Sequence, residues 1–114
     1  MAIEVKPVPR WEWSPVPHEG CRNVEGKGLL RHPQVTIAML RFGKHGTIHE
    51  HAAPIDIDVI CLKGRGMTSL DGEQAALSEG QQVRWPAGMS HRLWTEEDEM
   101  TTLMIEHVGT AEKP

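Results

Sequence analysis

The stretch from Arg41 to Thr95 limits the possible fold most strongly, because turn-forming residues divide it into short segments. Glycine, proline and Asp-Gly signals separate runs of apolar and β-branched residues. No segment of ten or more residues in the whole chain has the apolar period of a helix. Asp71-Gly72 is the preferred pair for a two-residue hairpin turn, in which both central residues take positive φ. These features predict an all-β chain folded as a sandwich or barrel.

The sequence also predicts the roles of several other segments in such a fold. Residues 1–33 are expected to form N-terminal edge strands or a flap, in which Trp11 and Trp13 pack one face inward and the prolines prevent pairing inside a sheet. Cys21–Lys27 and Lys63–Gly66 are rich in turn formers and are expected to be turns. A last strand is expected from Met100 to Val108, followed by a polar tail.

Length and composition set the class of protein. A chain of 114 residues is the size of one domain, and 39% hydrophobic and 25% charged residues are typical of a soluble protein. The net charge of −4 predicts no nucleic-acid partner.

Met1–Pro7 has no apolar run of the kind found in signal peptides, and no stretch of about 18 apolar residues occurs, so we expect a cytoplasmic protein without membrane association. Cys21 and Cys61 lack a Cys-x-x-Cys spacing and are expected to be free thiols.

Two histidines in the central stretch form a candidate chelating pair. Side chains alternate along a strand, so His49 and His51 are expected on one face and Glu50 on the other. A third histidine, His91, follows the break at Pro86–Gly88. Imidazole nitrogens bind transition metals, so this set is a candidate metal site.

The same stretch resembles the two motifs of the cupin superfamily. The second motif reads Gly, five residues, Pro-x-Gly, two residues, His, three residues, Asn. It is matched at Gly80, Pro86, Gly88 and His91, with Thr95 in place of the Asn. The first motif reads Gly, five residues, His-x-His, three or four residues, Glu, six residues, Gly, and it is matched at Gly43, His49 and His51. The resemblance implies a single-domain jelly-roll barrel over residues 1–114 whose motif core is 41–95.

The acidic position of the first motif departs from the family pattern. Asp56 follows His51 after four residues, but Gly64 then comes after seven residues instead of six. Regular alternation from Ile55 places Asp56 on the outer face, whereas a bulge next to Pro54 would turn it inward. A site of three histidines and a site of three histidines plus Asp56 are therefore both open, with the first favoured.

The resemblance implies a divalent transition metal, Fe, Mn, Ni, Cu or Zn, held by His49, His51 and His91 with or without Asp56. The leading hypothesis is a small-molecule oxygenase similar to the single-domain cupin dioxygenases. A metal-dependent isomerase or lyase is less favoured, because the bases close in sequence are only Glu50, His45 and the two aspartates Asp56 and Asp58. The third hypothesis is a module that binds or senses a small ligand without catalysis. Small cupins are commonly homodimers, and the N-terminal edge segment is a candidate contact.

Overall fold

Eight strands make up most of the part of the chain that the computed structural model describes, residues 2–110. They are β1 (Arg10–Pro15), β2 (Arg22–Arg31), β3 (Thr36–Thr47), β4 (Asp56–Leu70), β5 (Glu73–Ser78), β6 (Gln82–Trp85), β7 (His91–Trp94) and β8 (Met100–His107). A short 3-10 turn, Val108–Thr110, begins the expected polar tail, whose residues 111–114 lie outside the described part. Within residues 2–110 there is no helix long and apolar enough to cross a membrane.

The strands pair antiparallel into a closed barrel, which confirms the all-β prediction. The longest strand, β4, pairs with β6 and β8 through its first half and with β5 and β7 through its second half. On the other side, β3 pairs with β2 and β8 and reaches β7 at its end. Asp71 (φ 47°) and Gly72 (φ 88°) form the predicted hairpin turn between β4 and β5.

The expected turn at Lys63–Gly66 is wrong, because β4 runs through it with a bend. The pairing of β4 with β8 shifts register between Cys61 and Lys63, and Gly64 has a φ of 78°. A β-carbon at Gly64 would collide with the carbonyl oxygen of Glu99. Glycine is needed here for a change of direction inside a strand, and the change lets one strand serve both sides of the barrel.

The expected turn at Cys21–Lys27 is also wrong from Arg22 onward, where β2 begins. A register shift lies next to Asn23, whose φ is 50°, so the turn-forming residue marks a bulge within the strand. The predicted edge strand is present as β1, which pairs with β2. Trp11 does not pack inward as expected, since it is 62% exposed and the ammonium group of Lys27 lies 3.8 Å from its ring centroid, whereas Trp13 is half-buried.

The core follows the predicted alternation of β4. Ile57, Val59 and Cys61 are buried on the inner face. Asp58, on the outer face, accepts hydrogen bonds of 2.9 and 2.7 Å from Arg84.

Thr95, which replaces the motif Asn, links the start of the first motif to the end of the second. Its hydroxyl donates to the Gly43 carbonyl (2.6 Å) and accepts from the Gly46 amide (2.9 Å). This contact holds the end of β3 beside β7, where the histidines lie.

Candidate metal centre

Two short segments at one end of the barrel bring the three predicted histidines together. His49 and His51 follow the end of β3 at Thr47 and lie outside a regular strand. The backbone of His51 pairs with that of His91, the first residue of β7, through hydrogen bonds of 3.1 and 2.8 Å. Glu50 is exposed and accepts a hydrogen bond from the Ser90 hydroxyl (3.0 Å), on the side away from the cluster as expected.

The imidazole rings form a contiguous stack with an indole at its end. The rings of His49 and His51 are stacked with centroids 4.0 Å apart, and His91 meets His51 edge-on at 4.5 Å. Trp85 stacks on the other side of His91, at 4.0 Å and an interplanar angle of 8°. In this packing no group of three or more His, Cys, Asp or Glu side chains of residues 2–110 has donor atoms that converge as metal ligands. Joint coordination therefore requires the rings to turn out of the stack.

His91 has the strongest signature of a ligand. Its side chain is 1% exposed, and neither ring nitrogen has a hydrogen-bond partner of good geometry among the described residues. Burial, followed by the neighbouring His51, lowers the pKa of His91 to about 4, against a smaller opposing effect of the Met89 backbone. The ring is therefore neutral at neutral pH. Buried polar atoms without partners are rare, and a metal ion would satisfy one of these nitrogens.

The other two histidines are oriented through Nδ1. The Nδ1 atom of His51 lies 2.9 Å from the His49 carbonyl, which can only accept, so Nδ1 donates this hydrogen bond and Nε2 is the nitrogen left to face a ligand. The Nδ1 atom of His49 lies 3.3 Å from Sγ of Cys21, and the same sulfur accepts from the His49 amide. Burial is also the largest cause of a lowered pKa for His49. Neutral imidazoles held through one nitrogen are the usual arrangement of metal-ligating histidines.

A cavity of about 200 Å³ opens beside the cluster. It is smaller than a pocket for a drug-sized ligand. Most of its wall is apolar, and its polar side chains are the three histidines, His18, Cys21 and Glu106. The other lining residues are Val16, Ala38, Leu40, Ile48, Ile57, Trp85 and Met104. This composition suits a small and largely apolar molecule.

Sequence reasoning missed Glu106, His18 and Cys21 as cavity residues. A signal for Glu106 was present, since a period of two along β8 puts it on the inner face with Met100, Thr102 and Met104. His18 and Cys21 lie in the connection between β1 and β2, and no periodicity could place them; the His18 ring is 5.1 Å from that of His49.

Asp56 occupies the outer side of β4. Its Oδ1 atom accepts a hydrogen bond from the Ala87 amide (2.9 Å), whereas the next residue, Ile57, is buried and lines the cavity. Asp56 is not among the described residues around the cavity. This placement favours a three-histidine site, and the ligand role of Asp56 stays a prediction.

Comparisons with known proteins support the fold. The sequence model of the family described as "Cupin domain" matches residues 38–107. No curated protein sequence matches the chain significantly.

Among solved structures, the polyketide cyclase RemF from Streptomyces resistomycificus is 15% identical with a TM-score of 0.79, over 95% of this chain and 80% of that one. A cupin-like protein from Thermotoga maritima is 18% identical with a TM-score of 0.79, over 90% and 84%. KdgF from Halomonas sp. is 17% identical with a TM-score of 0.70, over 84% and 86%. At these identities the likeness shows the fold alone.

Proposed function

Because the chain belongs to the cupin domain family, we propose that it is an enzyme for a small, largely apolar molecule and that His49, His51 and His91 hold a divalent transition metal beside the cavity. The observation that supports this most is His91, a buried neutral imidazole next to two further histidines, whose ring nitrogens have no hydrogen-bond partner of good geometry among the described residues. Cupin barrels commonly bind small ligands and transition metals.

The donor set fits such an ion. Neutral imidazoles suit Fe, Mn, Ni, Cu and Zn, and the identity of the metal stays open among these. When bound, the ion would supply Lewis-acid or redox chemistry and open positions for substrate oxygens. The chain's own residues orient the site: Trp85 packs flat against His91, Cys21 contacts His49, and most of the cavity wall is apolar.

Two reaction classes compete for this site. The sequence favours a dioxygenase-like activity over an isomerase or lyase, because few acid–base groups lie near the histidines in sequence. Glu106 removes that scarcity, because its carboxyl group lines the same cavity. This observation favours the isomerase or lyase alternative. Binding of a small ligand without catalysis is the remaining alternative.

The homodimer and the cytoplasmic location expected from the sequence stay predictions. The exposed Trp11 on the edge strand β1 is where we expect a second subunit to make contact.

Metal analysis of protein purified without chelator tests the proposal. We expect near-stoichiometric metal in the wild type after incubation with divalent ions, and a strong loss in His51→Ala. His32→Ala, a matched change of an exposed histidine outside the cavity, should keep its metal. Asp56→Ala should change the metal content little, because the Asp56 carboxylate bonds the Ala87 amide on the outer face. A loss in Asp56→Ala as large as that in His51→Ala would show a four-ligand site.

Negligible metal in all of these proteins, even after incubation, would overturn the proposal in favour of a metal-free binding barrel. An oxygen electrode separates the reaction classes once metal is found: oxygen consumption coupled to loss of a substrate identifies the oxygenase, and turnover without it identifies the isomerase or lyase.

A further inference from the structure

We propose that Glu106 is the catalytic acid–base residue of the cavity and that it moves a proton on a small α-hydroxy ketone bound between it and the histidines. This inference rests on the proposed function and names its reaction and substrate class. It comes from the position of Glu106 in the barrel, the composition of the cavity and the environment of the carboxyl group.

The strand register places Glu106 in one row with Ile57 and Trp85, on the wall of the cavity that the histidines also line. Glu106 on β8 is directly opposite Ile57 on β4, which in turn is directly opposite Trp85 on β6. Neighbouring strands are about 4.8 Å apart, so the backbones of Glu106 and Trp85 are separated by about 10 Å. The Trp85 indole is stacked on His91. A small molecule over Ile57 would thus have the carboxyl group on one side and the histidines on the other.

The environment of Glu106 suits proton transfer. Burial raises the pKa of this carboxyl group above its ordinary value, toward the pH at which an enzyme works. No hydrogen bond or ion pair to another described residue occupies the carboxyl group. Charged residues on neighbouring strands have other partners: on the outer face of β4, Asp58 bonds Arg84 and His107. Glu106 has no structural pairing that would explain a carboxyl group in an apolar wall, and carboxyl groups in such places are commonly functional.

The substrate class follows from the two ends of the cavity. At one end, an ion held by the three imidazoles would accept two adjacent oxygen donors, as a hydroxyl next to a carbonyl provides. At the other end, the Glu106 carboxylate can act as a base only if an acidic C–H bond lies within reach. In such a molecule, the acidic C–H bond is the one on the carbon next to the carbonyl. The volume of about 200 Å³ and the apolar wall restrict the molecule to a small one with few further polar groups.

The step needs no oxidant. The Glu106 carboxylate removes the proton from the hydroxyl-bearing carbon; the C–H electron pair forms a C=C bond with the carbonyl carbon, and the carbonyl π pair moves to oxygen. The hydroxyl proton then passes to the former carbonyl oxygen, and the Glu106 carboxyl returns its proton to the former carbonyl carbon. The product is the isomeric hydroxy carbonyl compound, and Glu106 is a carboxylate again.

Deuterium exchange on acetoin and hydroxyacetone tests the proposal. We would incubate metal-loaded wild type, Glu106→Gln and Glu73→Gln with each ketone in D₂O and follow the α-hydrogen signal by NMR. We expect exchange by the wild type, a loss of about 10²-fold or more in Glu106→Gln, and no loss in Glu73→Gln, an exposed glutamate at the start of β5. Metal content and thermal midpoint are measured on the same samples.

The additional readouts separate the possible failures. We expect Glu106→Gln to keep its metal and to melt no lower than the wild type, because glutamine has nearly the same shape and removes a carboxylate that burial penalises. Metal bound in the wild type without exchange of either ketone would overturn the substrate class and leave the metal proposal standing. Equal exchange by Glu106→Gln and the wild type would overturn the role of Glu106, as would a loss of metal in Glu106→Gln, which would make it a ligand. No metal in any sample is a failure of the proposed function itself.

Discussion

At the scale of single residues, the candidate site shows what a sequence pattern can and cannot reveal. Strand alternation predicts that His49 and His51 share a face, and the resemblance to the two cupin motifs implies that His91 meets them; the ring contacts of the three residues agree with this. Strand alternation along β8 could have placed Glu106 on the inner face. Its distance in sequence from the two motifs, however, gave no reason to connect it with the site. The contact of Cys21 with His49 could not be predicted, since it depends on the path of a connection between strands.

The buried imidazole of His91 leads to a prediction about pH. Its folded-state pKa of about 4 lies below the unfolded value of 6.5, so below pH 6.5 the unfolded chain binds more protons than the folded one. The metal-free protein should lose stability as the pH falls from about 6.5 to about 4, by about 3 kcal/mol in total, and lose no more from this residue below that range. Urea unfolding of chelator-treated protein across this range measures the effect.

The control for this prediction is His91→Gln, which removes the titrating group and keeps a polar side chain of similar reach. Its stability should depend less steeply on pH between 4 and 6.5, with the remaining slope due partly to His49, whose pKa is also lowered. An unchanged slope in His91→Gln would contradict the assignment.

At the scale of elements, the bend of β4 is the feature that the sequence pattern hid. Lys63-Gly64-Arg65-Gly66 has the composition of a turn. A bent strand can have the same composition when another segment of backbone packs so closely that only glycine fits, and the local sequence does not distinguish the two. The collision partner of Gly64 is Glu99, which is 35 residues further along the chain. Long-range closeness of this kind is set by barrel closure, so only the tertiary structure reveals it.

Substitution of Gly64 should therefore be far more harmful than its positive φ alone would suggest. Gly80 is the matched control, because its φ of 84° is similar to the 78° of Gly64 but no atom lies within 4 Å of a β-carbon built there. We expect Gly80→Ala to lower the free energy of unfolding by about 1 kcal/mol, from backbone strain alone. Gly64→Ala adds a collision with the Glu99 carbonyl and should cost several times as much, or prevent folding. Equal midpoints of urea unfolding for the two variants would show that the bend can relax.

At the scale of the whole molecule, the core of the barrel does not depend on the candidate metal site. Closely spaced turns and the lack of a helical period were sufficient to predict the all-β class. The order in which the strands close the barrel depends on pairings such as that of β3 with β8, which no local pattern specifies. The core that results, which includes Phe42, Val59 and Leu93, lies in strands that pair without any ligand. Burial of each such side chain stabilises the fold by about 2 kcal/mol.

This independence of the core predicts that removal of metal leaves the barrel folded. Chelator-treated wild type should keep its β-sheet circular dichroism and a cooperative melting transition, because the core supplies most of the stability. A divalent ion bound to the folded state at the proposed site should raise stability by about 2.7 kcal/mol at about 100 times its Kd. For a chain of this length that corresponds to a rise in Tm of about 10 °C. His51→Ala should melt cooperatively as well but show no rise on addition of the ion. A metal-free wild type without a cooperative transition would instead mean that the ion is structural, since binding would then supply the free energy of folding.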